Sequence, residues 1–295
     1  MSRLTRRQSL ELVGLSAAAM ALRPHVTHAA GDEPLYRAKH GKIRQSVVPW
    51  CFKPMPVPEL IGHAAKLGLE SVELVDPKLW PEIKAAGMTV AISGSHGFAK
   101  GFAHVEEHDE CVKVLRDRID QSAAFGCPSV ITFSGFRRGL TTDDATKNMI
   151  AGLKKIVGYA EQKRVTLCLE MLNSRVAVEM KGHPNYFCDD IDHSVEICRQ
   201  IGSPWLKVLF DIYHVQIMHG DVIVRLQQHK DWIGHYHTAG VPGRNEIDEQ
   251  QELNYAPIMR AIAATGYRGF VGQEFIPTRE PVGALAQAIK ICDIA

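Results

Sequence analysis

The 295-residue chain balances 34 basic against 33 acidic residues, a net charge of +1, so nothing in it invites nucleic acid or an anionic membrane. At 45% hydrophobic and 23% charged it is an ordinary globular composition without a low-complexity tract. Past the first thirty residues no stretch is apolar for the roughly 20 residues of a bilayer span. Its seven cysteines are scattered without close pairs, which excludes a disulfide framework and leaves the thiols as small buried hydrophobes.

The chain opens on a candidate address. Thr5-Arg6-Arg7-Gln8-Ser9-Leu10 resembles a twin-arginine export motif, although Ser9 and Glu11 stand where that motif prefers Phe and Lys. A short apolar stretch from Leu12 to Leu22 follows, and Thr27-His28-Ala29 then offers small residues for cleavage. Residues 1–30 are thus expected to be a signal segment and 31–295 a single mature domain, exported to the periplasm. The alternative is a disordered basic tail on a cytoplasmic protein. The apolar stretch is too short to span a bilayer, so no stable membrane insertion is expected.

From there apolar runs alternate with amphipathic stretches to the end of the chain. Strands are predicted at 45–48, 71–74, 89–92, 129–133, 166–170, 207–211, 232–237 and 269–274. Helices are predicted at 57–67, 106–125, 142–162, 190–201, 221–230, 255–265 and 282–291, each with apolar residues at three-to-four spacing; Met149, Leu153, Ile156 and Val157 form one such stripe. Gly68, Gly126, Gly202 and Gly266 close helices just before strands, where a left-handed cap turns the chain back. Eight strands in strict alternation with helices predict a closed (β/α)₈ TIM barrel rather than an open sheet.

The downstream ends of the last four strands carry the chemistry. Glu170 closes VTLCLE, Asp211 closes LKVLFD, His237 closes WIGHYH and Glu274 closes GFVGQE, each about one barrel unit of roughly 31 residues after the last. Parallel strands would gather all four at the C-terminal rim, where barrel enzymes keep their active sites. Three carboxylates and one imidazole there make a site for a divalent cation: Mn²⁺, Mg²⁺ or Co²⁺, with Zn²⁺ as an alternative. A cation that neutralises charge developing on adjacent carbonyl and hydroxyl oxygens, flanked by two carboxylates, suits movement of a proton between neighbouring carbons.

The phrases LEMLNSR, LFDIYHVQIMHGD, WIGHYHTAGVPGR, ELNY and GFVGQEF, taken in order after their strands, resemble the xylose-isomerase-like barrels in their hydroxypyruvate isomerase and ketose 3-epimerase branch. The likeness is strongest over the last four strands and looser before them. It implies a divalent metal held by Glu170, Asp211, His237 and Glu274, with Glu170 and Glu274 as the catalytic acid/base pair. His214 and Arg244 match family positions that contact the substrate's oxygens. The implied partner is a small sugar or oxo-acid, and the resemblance is compatible with a homodimer.

Other residues are placed by position alone. His96 after the third predicted strand and Arg137-Arg138 after the fourth are candidates to reach the mouth, an arginine fork being suited to a substrate carboxylate. Glu73 is a weaker candidate for the pocket wall, Trp50 is a candidate for an apolar wall with an ordinary core role as the equal alternative, and His235 is expected to face the surrounding helices. The long segment 172–189 is read as a substrate cover; within it Glu179, Lys181 and His183 have no matching family position. The leading expectation is a metal-dependent isomerase or epimerase of hydroxypyruvate, an oxo-tetronate or a ketose. The alternatives are a lyase or hydratase on an oxidised sugar, a nuclease, which the charge balance disfavours, and a non-catalytic exported sugar-binding barrel.

Overall fold

The structure, a computed structural model, describes residues 34–295, so the expected export signal lies outside the described residues. Leu35–Ala295 forms one compact unit. Its elements run β1 (Arg44–Val47), α1 (Val57–Lys66), β2 (Ser71–Val72), α2 (Trp80–Ala85), α3 (His108–Phe125), β3 (Ser129–Thr132), α4 (Thr142–Lys163) and β4 (Thr166–Glu170). They continue with α5 (Ile191–Ile201), β5 (Leu206–Asp211), α6 (Ile212–Met218), α7 (Val222–Gln228), β6 (Ile233–Thr238), α8 (Tyr255–Ala264), β7 (Phe270–Gln273) and α9 (Pro281–Cys292).

All pairings are parallel, in the order β2-β1-β7-β6-β5-β4-β3, as the strict alternation requires. The described residues hold seven strands rather than the expected eight. The segment predicted as the third, 89–92, lies between β2 and β3 but makes only the single bridges Ser71–Thr89 and Ser93–Val130. Val72 N–H donates to the Thr89 carbonyl at 3.2 Å, and Ile131 N–H to that of Ser93 at 3.0 Å, so the eighth position of the ring is occupied. Its ladder breaks because the Ala91 N–H is taken by the Ser71 hydroxyl at 2.8 Å instead of a strand carbonyl.

Helix ends follow local chemistry. Thr141 accepts from the Asp144 N–H to start α4, Asp190 accepts from the His193 N–H to start α5, and Gly126 and Gly202 end α3 and α5 in the left-handed conformation. Two helices went unpredicted, α2 and α6. Ile212, Val215 and Ile217 are β-branched and weaken any helical signal in α6, whose start is set instead by Asp211 accepting from the Tyr213 N–H at 2.8 Å.

Buried strands sandwiched between a filled barrel and a helical coat read as continuous apolar runs, as Leu167, Cys168 and Leu169 of β4 do. The stripe Met149, Leu153, Ile156 and Val157 packs α4 onto that sheet. All seven cysteines are buried and unpaired, as expected. No helix among the described residues is long and apolar enough to cross a membrane. Leu153→Ala is expected to cost about 2–5 kcal/mol in urea unfolding, whereas Lys154→Ala on the exposed face of the same helix leaves the transition within about 0.5 kcal/mol.

Candidate active site

Register carries the four strand-end groups to one level. Glu170 sits opposite Leu209 on β5, and Asp211 opposite His237 on β6, while Glu274 follows directly after β7. Their ligand-capable atoms all lie within 4.8 Å of one another, and all four residues are buried. Asp211 divides its oxygens: Oδ1 caps α6, while Oδ2 takes the Arg244 guanidinium at 3.2 Å. Glu274 accepts from the Trp50 indole at 3.0 Å on Oε1 and from Arg244 Nη2 at 2.6 Å on Oε2. His237 Nδ1 lies 2.7 Å from that same Oε2 and 3.7 Å from Glu170 Oε1, yet without hydrogen-bond alignment.

The environments push the two glutamates apart. Burial, reinforced by the neighbouring Glu274 and Asp211 charges, outweighs the His237 contact and lifts Glu170 to about 7. Burial acts on Glu274 too, but the charges of Arg244 and His237 outweigh it and hold that carboxyl down at about 2. Asp211 is lifted to about 6, by burial first and by Glu274, against the pull of Arg244. His237 is raised despite its burial because carboxylates surround it. Three buried carboxylates facing one guanidinium leave negative charge in excess at this pole, so the donor set fits a divalent cation, with Glu170, Asp211, His237 and Glu274 as the residues that could hold it.

The pole opens into a cavity of about 220 Å³. Its far wall is apolar, built from Leu74, Phe98, Ile131, Phe133 and Leu172. The segment 172–189 covers it, contributing Met180 and His183. That cover is tied to the site itself: Arg244 Nη1 donates to the Met180 carbonyl at 2.7 Å, and the Tyr213 hydroxyl to that of Lys181 at 2.8 Å. His183 packs against Phe98 with ring centroids 4.3 Å apart and the rings tilted by 50°, and burial with the nearby Arg244 charge lowers it to about 4, leaving a neutral ring. Glu179 is exposed.

Of the remaining candidates, His214 and Arg244 are brought to the pole. His214 Nδ1 accepts from the Asn173 N–H at 3.0 Å, so its neutral ring carries the proton on Nε2, 3.5 Å from Asp211 Oδ2. That Nε2, Arg244 Nε and the Ser95 hydroxyl are buried without hydrogen-bond partners among the described residues. Such orphans are scarce in folded proteins, and two of these residues, Arg244 and Ser95, line the cavity, which points to a polar ligand.

His96 and Arg137 do not line the cavity. His96 is held by Thr132 Oγ1 at 3.0 Å between Phe102 and Phe133. Arg137 pairs with Asp189 at 3.0 Å over the Phe187 ring, and Arg138 with Glu107 at 2.6 Å, so both guanidiniums are spent on fastening loops. Trp50 does line the cavity and adds the donated hydrogen bond to Glu274.

Two expectations fail outright. His235 faces the barrel interior, not the helices, because residues two apart on a strand share a face and His237 points inward. Glu73 is not pocket wall but lies beneath His237, accepting from both histidines. The period of two in HYH was the available signal for His235; the strand-end position marked Glu73 but not its histidine partners, and no local pattern announced Asn173 or Ser95.

The sequence model of the xylose isomerase-like TIM barrels matches residues 61–293, which bears out the resemblance read from the strand-end phrases. A putative hydroxypyruvate isomerase of Mus musculus is 26% identical over 259 residues, covering 81% of this chain and 91% of its own. A 2-oxo-tetronate isomerase of Cupriavidus necator is 39% identical over 118 residues, 40% of this chain and 43% of its own. Among solved structures, an AP endonuclease of family 2 from Brucella melitensis has a TM-score of 0.72 at 25% identity, over 83% of this chain and 98% of that one.

The split acidities carry a sign that can be measured without metal. Glu170, raised on folding, contributes stability that is present at acid pH and lost as pH climbs through about 7. Glu170→Gln removes that loss. In chelator, the variant's melting temperature is expected to match wild type near pH 4.5 and to exceed it by on the order of a few degrees at pH 8. A gap of the opposite sign, widening toward acid, refutes the assignment.

Proposed function

Because the chain belongs to the xylose isomerase-like TIM-barrel family, we propose that it is a metal-dependent isomerase or epimerase of a small α-hydroxy carbonyl compound. Hydroxypyruvate, a 2-oxo-tetronate and a short ketose are the substrates to test first, the first two being those named for its relatives. The observation that carries this reading is the meeting of two glutamates of opposite tendency, Glu170 lifted to about 7 and Glu274 held at about 2, at the mouth of one cavity. A proton moved off one carbon and onto its neighbour needs a base ready to accept and an acid ready to return it, and pairs of carboxyls pushed apart by their surroundings mark such roles.

Glu170, Asp211, His237 and Glu274 would hold the cation, which when bound supplies Lewis-acid charge opposite the substrate's carbonyl and hydroxyl oxygens. Mn²⁺, Mg²⁺ or Co²⁺ suits three oxygens and one nitrogen, with Zn²⁺ as the alternative. Glu274, ionised, takes the proton from carbon. Glu170 returns it. The enediolate charge that develops between these steps falls near two donors with no protein partner, the His214 Nε2 hydrogen and Arg244 Nε. Arg244 and Tyr213 fasten the cover over the cavity, and displacement of water from beneath it when substrate binds would strengthen each of these interactions. A space of about 220 Å³ suits a short substrate and is too small to be a groove for a nucleic acid duplex.

In deuterated water with Mn²⁺, the protein is expected to place deuterium on carbon in at least one of these compounds, and chelator to stop it. Glu170→Gln and Glu274→Gln should each slow exchange by about 10²–10⁴-fold. Retained exchange in both variants would sink the mechanism, and a product lacking the elements of water, seen by NMR, would turn the assignment to a lyase. Export by the Thr5–Leu10 motif belongs to the same proposal: Arg6→Lys with Arg7→Lys should leave the protein inside the cell, and an unchanged exported fraction refutes it.

A further inference from the structure

Below the four strand-end groups, on the side away from the cavity, lies a second buried cluster: Glu73, His235 and His237. Glu73 follows β2, on the far side of β1 and β7 from β6, which carries both histidines. Its Oε1 accepts from His235 Nε2 at 2.9 Å and from His237 Nε2 at 2.7 Å. The carboxylate reaches there through a notch in β7. A Cβ at Gly272 would collide with Glu73 Oε1 and lie 2.9 Å from His237 Cδ2, so only glycine leaves the passage open. Burial opposes charge on Glu73, yet the two histidines outweigh it and hold the carboxyl well below its ordinary range.

An imidazole has two distinct nitrogens, and the hydrogen bond made by one decides what the other offers. With its Nε2 hydrogen committed to Glu73, the nitrogen that His237 turns toward Glu170 and Glu274 is Nδ1, the atom left to take a cation in place of a proton. Nδ1 makes no aligned hydrogen bond among the described residues, although it lies 2.7 Å from Glu274 Oε2. The lower cluster is not itself a second metal site of the same kind: ions on both sides would require the His237 ring to give up both protons. His235 accounts for the second lone pair drawn from Oε1 and braces the carboxylate from the barrel floor.

We propose that Glu73, braced by His235 and admitted by Gly272, is the positioning residue that fixes the tautomer and ring orientation of His237, so that divalent-metal affinity depends on a carboxylate that touches neither metal nor substrate. Outer carboxylates that accept from a ligating histidine are typically worth about 10–100-fold in metal affinity. The inference rests on the metal reading of the upper cluster, and the test separates the two.

The experiment titrates Mn²⁺ into the full-length, chelator-treated protein by calorimetry, with the visible spectrum of the Co²⁺ form as a second readout. Wild type is expected to bind, and Glu73→Gln to bind about 10–100-fold more weakly, with an altered Co²⁺ spectrum and an unchanged circular dichroism spectrum. Glu73→Asp, which keeps the charge, should recover part of the loss. Wild-type affinity in Glu73→Gln overturns the proposal while leaving the metal reading intact; a wild type that binds neither ion overturns the metal reading itself. If Glu73→Gln does not fold, His235→Gln decides: weakened Mn²⁺ binding supports the positioning role and undiminished binding defeats it.

Discussion

Negative charge gathered out of water at the top of the barrel is the constraint from which the rest of the site follows. Glu170, Asp211 and Glu274 are buried within reach of one another, an arrangement that repels unless positive charge is brought in. Each neighbour meets part of that demand. Asp211 spends one oxygen on the start of α6, Glu274 takes the Trp50 indole and the Arg244 guanidinium, and His237 stands between Glu73 below and Glu274 above. Glu170 receives no aligned hydrogen bond on its carboxylate among the described residues, and burial with the neighbouring Glu274 and Asp211 charges raises its pKa against the pull of His237.

The same charges build the cover. Arg244, drawn down by Asp211 and Glu274, uses its other amino group on the Met180 carbonyl, while Tyr213 holds Lys181. Asn173 donates its N–H to His214 and its side-chain amide to the Lys181 carbonyl. The segment over the cavity is therefore shaped by the groups beneath it, so cover and chemistry are one assembly. Close approach within it also needs Gly182, where a Cβ would strike the Val176 carbonyl.

A barrel of this family does not by its fold disclose a reaction, since the relatives it resembles include proteins described as isomerases and one described as an endonuclease. What narrows the choice here is local: a small cavity with an apolar far wall, one carboxylate pole and a few donors without aligned partners. That combination favours a small molecule gripped at one end by charge and packed at the other by Phe98, Phe133 and Ile131.

Sequence by itself determined the alternation of strand and helix, the four polar strand ends and their convergence, because all of these rest on short-range periodicity and on the rule that parallel strands end together. Parity in HYH contained the inward direction of His235 as well. What only the tertiary structure decided are the partnerships between distant segments. Glu73 and His237 stand 164 residues apart, and Arg244 meets Asp211 and Glu274 from the loop after β6. Likewise, Arg137 and His96 were diverted by Asp189 and Thr132, and the eighth strand position lost its ladder to one serine hydroxyl. A side chain's nearest charge is set by how the ring closes, and no local pattern of residues records that closure.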